Sequence, residues 1–354
     1  MTSSSHSSTE ERSERTAAKV AAAQELLAEQ VAALRSGEDW QRFLAFQAKL
    51  HQYSPNNVLL IHAQHTQAHA EGLVDAPEPS CVAGFQTWKA LGRSVTKGQH
   101  GYAILAPVAG LRRLAVDPSG ERRLLDAGEQ ARPGETEERH RLVRGFRVSH
   151  VFDVSQTTGE PIPEPTRPQL LRGEAPRGLG AAVLALLERR GFSVSTVADA
   201  QAIGGANGQT NWAERTVVVR ADMDDAAMVK TLVHEAAHVL LHEGAPDQLL
   251  PRPIKEVEAE SVAFVVASAH GMATDDYSFP YVAAWAGDDP LAAIQATQRR
   301  VAGAARVILE ASPAEHGSGG KVPGTDLAVD GARADRGAHA PEGGVAPLPE
   351  PMGL

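Results

Sequence analysis

Two histidines and a glutamate in the run His234-Glu235-Ala236-Ala237-His238 form the clearest chemical pattern of the sequence. A spacing of four residues is about one helical turn, so both imidazoles lie on one face of a helix. Two such histidines can hold a zinc ion while the glutamate between them takes a proton from an attacking water. The sequence therefore predicts zinc ligands at His234 and His238 and a general base at Glu235.

The surroundings of this run favour a metal site over a chance match, which occurs in roughly a few per cent of chains of this length. Apolar residues flank the run, as expected for a buried helix, and a predicted strand at residues 216–220 precedes it. Cys81 is the single cysteine of the sequence, which excludes a cysteine-rich zinc module and leaves histidines and carboxylates as ligands.

A zinc site of this kind needs a third protein ligand. His242 lies eight residues from His234, about 12 Å along a helix, which is too far for the two to share one ion. Glu256 and Glu260 lie one turn apart on a later predicted helix, so one can bind the metal while the other orients a histidine. We expect Glu256 to be the ligand and Glu260 its outer partner, with Glu258 pointing elsewhere into solvent. The alternative is that these are ordinary surface acids.

The elements that position these residues indicate an α+β chain of two domains. Helices are predicted over residues 17–34, 40–53, from Pro55, 85–91, 179–189, Asp224 to about His242, 256–270 and about 290–309. Strands are predicted over 102–108, 146–154, 192–197 and 216–220, and a charged loop over 117–138. The expected division is a disordered tail at 1–20, an N-terminal domain at 21–158, a proline-rich linker at 159–177, a metal domain at 178–311 and a disordered tail at 312–354.

The composition of the 354-residue chain limits which partners it can bind and where in the cell we expect it. Its net charge of -10 makes it a poor non-specific binder of nucleic acid, so that a DNA interaction must depend on a local basic patch. It lacks a run of about 18 apolar residues that could span a membrane. The serine-rich first residues lack the apolar core of a signal peptide. We therefore expect a cytoplasmic protein without a membrane partner.

One stretch of the N-terminal half combines cations with aromatic rings. Between Trp40 and Arg113 there are seven lysines and arginines and only three acids, and residues 81–113 contain no acid. Single-stranded nucleic acid is bound by cations at its phosphates and by aromatic faces that stack on its bases. The candidate contacts are Trp88, Lys89, Arg93 and Lys97. The alternative is an ordinary small domain in which Phe85, Trp88 or both belong to the core.

Two resemblances connect these patterns. Residues 231–242 together with Glu256-Val257-Glu258-Ala259-Glu260 resemble the ImmA/IrrE metallopeptidases. That resemblance implies a zincin-like fold with Glu256 as the third ligand, although the family usually has asparagine where this chain has Glu260. The runs Tyr53-Ser54-Pro55-Asn56-Asn57, Gly84-Phe85-Gln86-Thr87-Trp88 and Val151-Phe152-Asp153-Val154 resemble the ArdC-type antirestriction proteins. This second resemblance implies a cytosolic protein that joins a domain for single-stranded DNA to a metallopeptidase domain and shields incoming strands from restriction.

The sequence thus leads to a single-stranded-DNA-binding protein of antirestriction type with a zinc metallopeptidase-like site, a hydrolase that would act on a protein substrate. A first alternative is a zinc protease that cleaves a regulatory protein and uses the N-terminal domain for recognition. A second is a binding protein with structural zinc, but Glu235 favours an enzyme because a structural site needs no base.

Overall fold

The computed structural model describes residues 3–126, 128–161, 173–244, 250–275, 277, 279–280 and 289–312. They form mixed α and β structure, as predicted. The N-terminal helices are α1 (Ser3–Ala32), α2 (Gly37–Lys49), α3 (Pro55–Ala70) and α4 (Phe85–Ala90). The strands that follow or flank them are β1 (Val82–Gly84), β2 (Arg93–Val95), β3 (Tyr102–Val116), β4 (Arg122–Leu124), β5 (Thr136–Asp153) and β6 (Thr157–Gly159). The later elements are α5 (Leu179–Arg189), β7 (Ser193–Val197), β8 (Gly208–Asn211), β9 (Thr216–Arg220), α6 (Asp225–His242), α7 (Arg252–Ala269) and α8 (Pro290–Ala311).

The starts of the early helices follow from local hydrogen bonds. The Ser36 hydroxyl accepts from the Asp39 amide at 3.1 Å, and the Asp39 carboxylate accepts from the Ser36 amide at 3.0 Å. This reciprocal pair is a capping box, which satisfies amide groups that the first turn leaves without helical partners. The Ser54 hydroxyl caps α3 by accepting from the Asn57 amide at 3.4 Å, and Pro55 lies in the first turn, so the predicted start at this position is confirmed.

The strands that the structure describes form three sheets. One has the order β1-β5-β3-β4, in which β1 is antiparallel to β5 with Val82 opposite Asp153. A second pairs β2 with β6. The third has the order β7-β9-β8, with β7 parallel and β8 antiparallel to the central strand β9. Strand β8 is therefore an edge of the sheet that precedes the histidine helix.

The described residues fall into two compact units. The first comprises those of Met1–Ala106 and Arg147–Ala328, and the second those of Pro107–Phe146. Both predicted domains contribute to the core of the first unit. Trp40 of α2 is fully buried there, and its indole nitrogen donates to the Ser261 hydroxyl of α7 at 2.9 Å. Helix α2 thus supports the helix that carries Glu256 and Glu260.

The second unit contains strands where the sequence predicted a charged loop at residues 117–138. Strand β4 and the first residues of β5 lie in this segment. Arg123 pairs with Glu135 at 2.8 Å, and Arg113 pairs with Glu137 at 2.5 Å. Arg113 and Glu137 lie on the neighbouring strands β3 and β5, where opposite charges stabilise a sheet modestly, and Arg123 connects β4 to the residue just before β5.

The N-terminal end of the chain differs from the predicted disordered tail. Helix α1 begins at Ser3, so that residues 3–20 are helical where the sequence predicted a disordered tail. Residues 10–20 contain three glutamates, two arginines and two alanines, which favour helix, whereas the serine-rich residues before them have no such explanation. Most of the predicted linker and nearly all of the C-terminal tail lie outside the described residues. Among the helices that the structure describes, none has both the length and the apolar character needed to cross a membrane.

Candidate metal centre and nucleic-acid interface

Helix α6 carries the two histidines and the glutamate, and it packs against α7. The Asp224 carboxylate caps α6 by accepting from the Ala227 amide at 2.8 Å, as the sequence predicted. The helix then runs without interruption to His242, so that His234 and His238 lie one turn apart on the same face. On α7 the same spacing places Glu256 and Glu260 on one face.

The structure brings His234, His238 and Glu256 together. Their ligand atoms all lie within 4.8 Å of one another. The two Nε2 atoms are 3.1 Å apart, and Oε2 of Glu256 lies 3.6 Å from Nε2 of His234 and 3.7 Å from Nε2 of His238. Two ligands that hold a tetrahedral zinc at ~2.0–2.1 Å are about 3.3 Å apart. The three atoms therefore have a spacing that fits one face of a zinc tetrahedron.

The charges of this cluster favour a cation. Burial alone would lower the pKa of His234, but the nearby Glu256 carboxylate and the hydrogen bond to Glu260 raise this pKa to about 9. The imidazoles of His234 and His238, close to Glu256 at 3.6 and 3.7 Å, hold the pKa of this carboxyl well below its usual range. Without a metal ion, a proton thus supplies the positive charge that the carboxylates stabilise. A divalent cation at the same place would replace that proton.

We expect zinc affinity to rise with pH because this proton must leave before His234 can bind a metal. With a pKa of about 9, His234 is protonated at neutral pH, and the apparent affinity should increase about tenfold per pH unit until pH reaches that value. Chelator competition at about pH 7 and pH 8.5, corrected for protonation of the chelator, should show a gain of about 30-fold. An affinity that does not change over this range would mean that His234 gives up no proton to the metal.

Glu235 occupies a closely packed position between α6 and the edge strand β8. Its side chain is buried, and its Oε2 accepts from the Thr210 hydroxyl at 2.6 Å. A Cβ atom added to Gly208 would lie 2.9 Å from Oε1 of Glu235, so that any larger residue at 208 would displace the carboxylate. Sequence reasoning found neither Thr210 nor Gly208, because only the pairing of β8 with β9 brings them to the helix.

Glu260 lies beside His234, where the sequence placed it. Its Oε2 is 3.0 Å from Nδ1 of His234. A neutral histidine that binds a metal through Nε2 carries its proton on Nδ1. In that state Nδ1–H of His234 would donate a hydrogen bond to the Glu260 carboxylate. The geometry is therefore that of an outer partner that orients His234, with Glu256 nearer to both Nε2 atoms.

Glu258 does not point into solvent, and this expectation was wrong. Its side chain is 1% exposed, and its Oε2 lies 3.0 Å from Nε2 of His242. Arg300 of α8 donates from Nε to both oxygens of Glu258, at 2.9 and 3.1 Å. Glu258 is two residues from Glu256, which is more than half a helical turn. Its side chain therefore lies on the opposite face of α7, in the core. Burial, partly offset by the hydrogen bond with Glu258, lowers the pKa of His242.

Two of the four candidate nucleic-acid contacts have structural roles. Trp88 is fully buried, and its indole nitrogen donates to the Phe152 carbonyl at 3.0 Å, so the expectation that it stacks on a base was wrong. Arg93 donates to the hydroxyl and the carbonyl of Thr157, each at 2.9 Å, and to the Glu160 carbonyl. These bonds hold β2 against β6 and occupy the guanidinium.

The remaining two contacts lie on the surface together with one aromatic ring. Lys89 and Lys97 are exposed, and Phe85 is 51% exposed at the start of α4. Phe85 and Lys89 are four residues apart on α4, so they lie on the same side of the helix. The sequence alternative that one of Phe85 and Trp88 belongs to the core is confirmed for Trp88. An accessible ring beside a cation is the combination that single strands require.

One family model matches part of the chain. Residues 17–152 match the model of the N-terminal domain of anti-restriction factor ArdC. An uncharacterized protein of Bacillus anthracis is 25% identical over 271 residues, which are 71% of this chain and 43% of that protein, so the chain spans less than half of this relative's length.

Two crystal structures of the antirestriction protein ArdC from the R388 plasmid are also similar. The metal-free one has a TM-score of 0.41 at 19% identity and covers 73% of this chain and 85% of its own. The Mn(II)-bound one has a TM-score of 0.40 at 18% identity and covers 73% and 88%. The predicted resemblance to ArdC-type proteins is confirmed for residues 17–152 by the match to the ArdC N-terminal domain model, and by that match alone.

Proposed function

We propose that this protein binds one divalent metal ion, zinc by preference, and uses it to hydrolyse a peptide bond in a protein substrate. The observation that carries this proposal is the cluster of His234, His238 and Glu256, with 3.1–3.7 Å between their ligand atoms. The two imidazoles and the carboxylate are a donor set that suits zinc. Glu235 favours an enzyme over a structural zinc protein, because it supplies a base that a purely structural site does not need.

The residues divide the work of hydrolysis as follows. The ion, when bound, polarises a carbonyl group and lowers the pKa of a water molecule. Glu235 takes the proton of the attacking water and can later return it to the leaving amine. The Thr210 hydroxyl, which donates to Oε2 of Glu235 at 2.6 Å, fixes the direction of that carboxylate. Glu260 orients His234.

Metal analysis of the purified chain tests this proposal. We expect about one zinc per wild-type chain after equilibration with a small excess of the metal, and almost none bound by His234→Ala. Manganese(II), which one of the ArdC crystal structures contains, is tested in parallel. His100→Ala, at an exposed histidine on another part of the chain, is the matched control and should keep its zinc. Equal zinc in the wild type and in His234→Ala would remove the site from α6.

A second function, binding of single-stranded DNA, is supported by the match of residues 17–152 to the ArdC N-terminal domain. Phe85, Lys89 and Lys97 are the exposed residues of the predicted patch that suit this role. We propose that Phe85 stacks on a base while the two lysines contact phosphates. Such a protein would act in antirestriction by covering incoming single strands. The alternative from the sequence, recognition of a protein by this half, remains the competing proposal.

Binding of the protein to a fluorescent single-stranded oligonucleotide, measured at several salt concentrations, distinguishes DNA binding from protein recognition by the N-terminal half. The intact chain is used, because Trp40 of the N-terminal half is buried against α7. Phe85→Ala should weaken binding about 5- to 150-fold if the ring stacks on one base. Lys89→Ala with Lys97→Ala should lower the salt slope by about 1.4, at ~0.7 per phosphate contact.

The control for charge is Arg189→Ala with Arg190→Ala, which removes two exposed cations outside the matched domain. It should leave the salt slope close to that of the wild type. If the wild-type chain shows no affinity for the oligonucleotide at low salt, the DNA proposal fails and the protease alternative gains support.

A further inference from the structure

A series of hydrogen bonds, the His242 series, leads from His238 of the metal cluster through His242 and Glu258 to Arg300. Nδ1 of His238 lies 2.9 Å from Nδ1 of His242, and Nε2 of His242 lies 3.0 Å from Oε2 of Glu258. Arg300 of α8 closes the series by donating to both oxygens of Glu258. His242 and Glu258 are 0% and 1% exposed, respectively, so water does not supply alternative partners.

We propose that His242, Glu258 and Arg300 are positioning residues for the metal site, which fix the ring of His238 and the nitrogen that it presents to the ion. This inference depends on the proposed metal binding and deepens it. His242 is too far along α6 to share a metal with His234, and the structure gives it a different task, as the partner of the second histidine ligand.

The donors and acceptors from His238 to Arg300 are compatible with only one direction of hydrogen bonding. A neutral His238 that binds a metal through Nε2 must carry its proton on Nδ1, and it then donates to Nδ1 of His242. With Nδ1 as acceptor, neutral His242 carries its proton on Nε2 and donates to the Glu258 carboxylate. The guanidinium of Arg300 can only donate, so it supplies the remaining bonds to Glu258. Every group in the series is thereby satisfied in the form that metal binding requires.

The burial of Glu258 suggests that the hydrogen bonds from His238 to Arg300 have a function beyond stability. Moving the Glu258 carboxylate out of water costs several kcal/mol even with the partly exposed Arg300 beside it, and apolar residues of similar size often stabilise a core as well or better. Arg300 also donates to the Leu241 carbonyl at 2.7 Å, next to His242. The series thus connects α6, α7 and α8 behind His238, whereas the partner of His234, Glu260, has a side chain that is 38% exposed. His238 is the ligand whose orientation is fixed from within the core.

Zinc affinity of two variants at His242 tests the inference. Phenylalanine fills a similar volume but accepts no hydrogen bond from His238, so His242→Phe should weaken zinc binding about 10- to 100-fold. Glutamine has one amide oxygen to accept from His238 and one amide nitrogen to donate to Glu258. His242→Gln should therefore recover most of the wild-type affinity. Affinity is measured by chelator competition on the full chain, and the visible absorption spectrum of the Co(II)-loaded protein reports the coordination geometry.

The matched control is His65→Phe, because His65 is a fully buried histidine with two hydrogen-bond partners, the Ala76 carbonyl and the Tyr102 hydroxyl, away from the cluster. A purely structural role would lower the melting temperature of both Phe variants and leave zinc affinity and the cobalt spectrum unchanged. Should His242→Phe fail to fold, Glu258→Gln decides, because it keeps an acceptor for His242 but loses the charge, and it should weaken zinc about tenfold.

The outcomes separate the inference from the proposed function. Normal zinc affinity in folded His242→Phe, or equal losses in the Phe and Gln variants, would overturn the positioning role while the wild type still binds metal. A wild-type chain that binds no zinc would overturn the metal proposal and this inference with it.

Discussion

Replacing Glu256 by alanine is expected to weaken zinc binding by more than about 100-fold, the largest loss among the acids of α7. An outer partner of a ligand typically changes metal affinity ~10–100-fold, and the loss of a direct ligand should exceed that. Oε2 of Glu256 lies 3.6 and 3.7 Å from the two Nε2 atoms, whereas Glu260 reaches only Nδ1 of His234. Zinc affinity by chelator competition should therefore decrease more in Glu256→Ala than in Glu260→Ala.

Glu188→Ala is the control for the loss of one negative charge, since Glu188 is exposed on α5. Its zinc affinity should equal that of the wild type. If Glu260→Ala were the more damaging variant, the third ligand would have to be assigned one turn further along α7, and Glu256 would become the outer partner.

The sequence predicted those features of the metal cluster that depend on the spacing of residues along one helix. The four-residue separations of His234 from His238 and of Glu256 from Glu260 each give a common face, because an α-helix has 3.6 residues per turn. The predicted bounds of α5, β9 and α6 agree with the structure for the same reason, since caps and apolar periodicity are local. The resemblance to known metallopeptidases added the choice of Glu256 over Glu260, which helical phase alone leaves open.

Packing between distant elements was not predictable in this way. Glu258 was expected in solvent because an isolated glutamate usually lies there, and its burial depends on Arg300, 42 residues later. Thr210 and Gly208 meet Glu235 only because β8 is the edge strand beside α6. In each case the partner comes from another element, and a single sequence without its fold contains no local signal for the pairing.

The motifs that suggested an ArdC-type domain turn out to be structural contacts. The Asn57 side chain bonds to both the amide and the carbonyl of Leu105, at 2.9 and 3.1 Å, which ties α3 to β3. The Tyr53 hydroxyl donates to the Val82 carbonyl, and buried Asp153 accepts from the Ser80 and Cys81 amides. Distinctive residues in this half therefore maintain its fold, and the surface residues that would contact DNA are less distinctive.

Replacing Glu235 by glutamine is expected to leave zinc in place and to lower hydrolysis of a labelled, denatured casein by about 10²–10⁴-fold. Glutamine has the same shape, and its amide oxygen can still accept from the Thr210 hydroxyl, so that the packing against Gly208 is kept. The amide cannot take a proton from water, and the base is therefore lost while His234, His238 and Glu256 are untouched.

Zinc content and casein hydrolysis of Glu235→Gln must be measured on the same preparation, because the two readouts separate a base from a ligand. Glu235 lies next to His234 in sequence but is held away from the ligand role by its bond to β8. Thr210→Val removes that bond and keeps the carboxylate, so it should retain zinc and lose less activity than Glu235→Gln. A Glu235→Gln protein that loses its zinc would instead make Glu235 a ligand, and one that cleaves casein at the wild-type rate would assign the base to another residue.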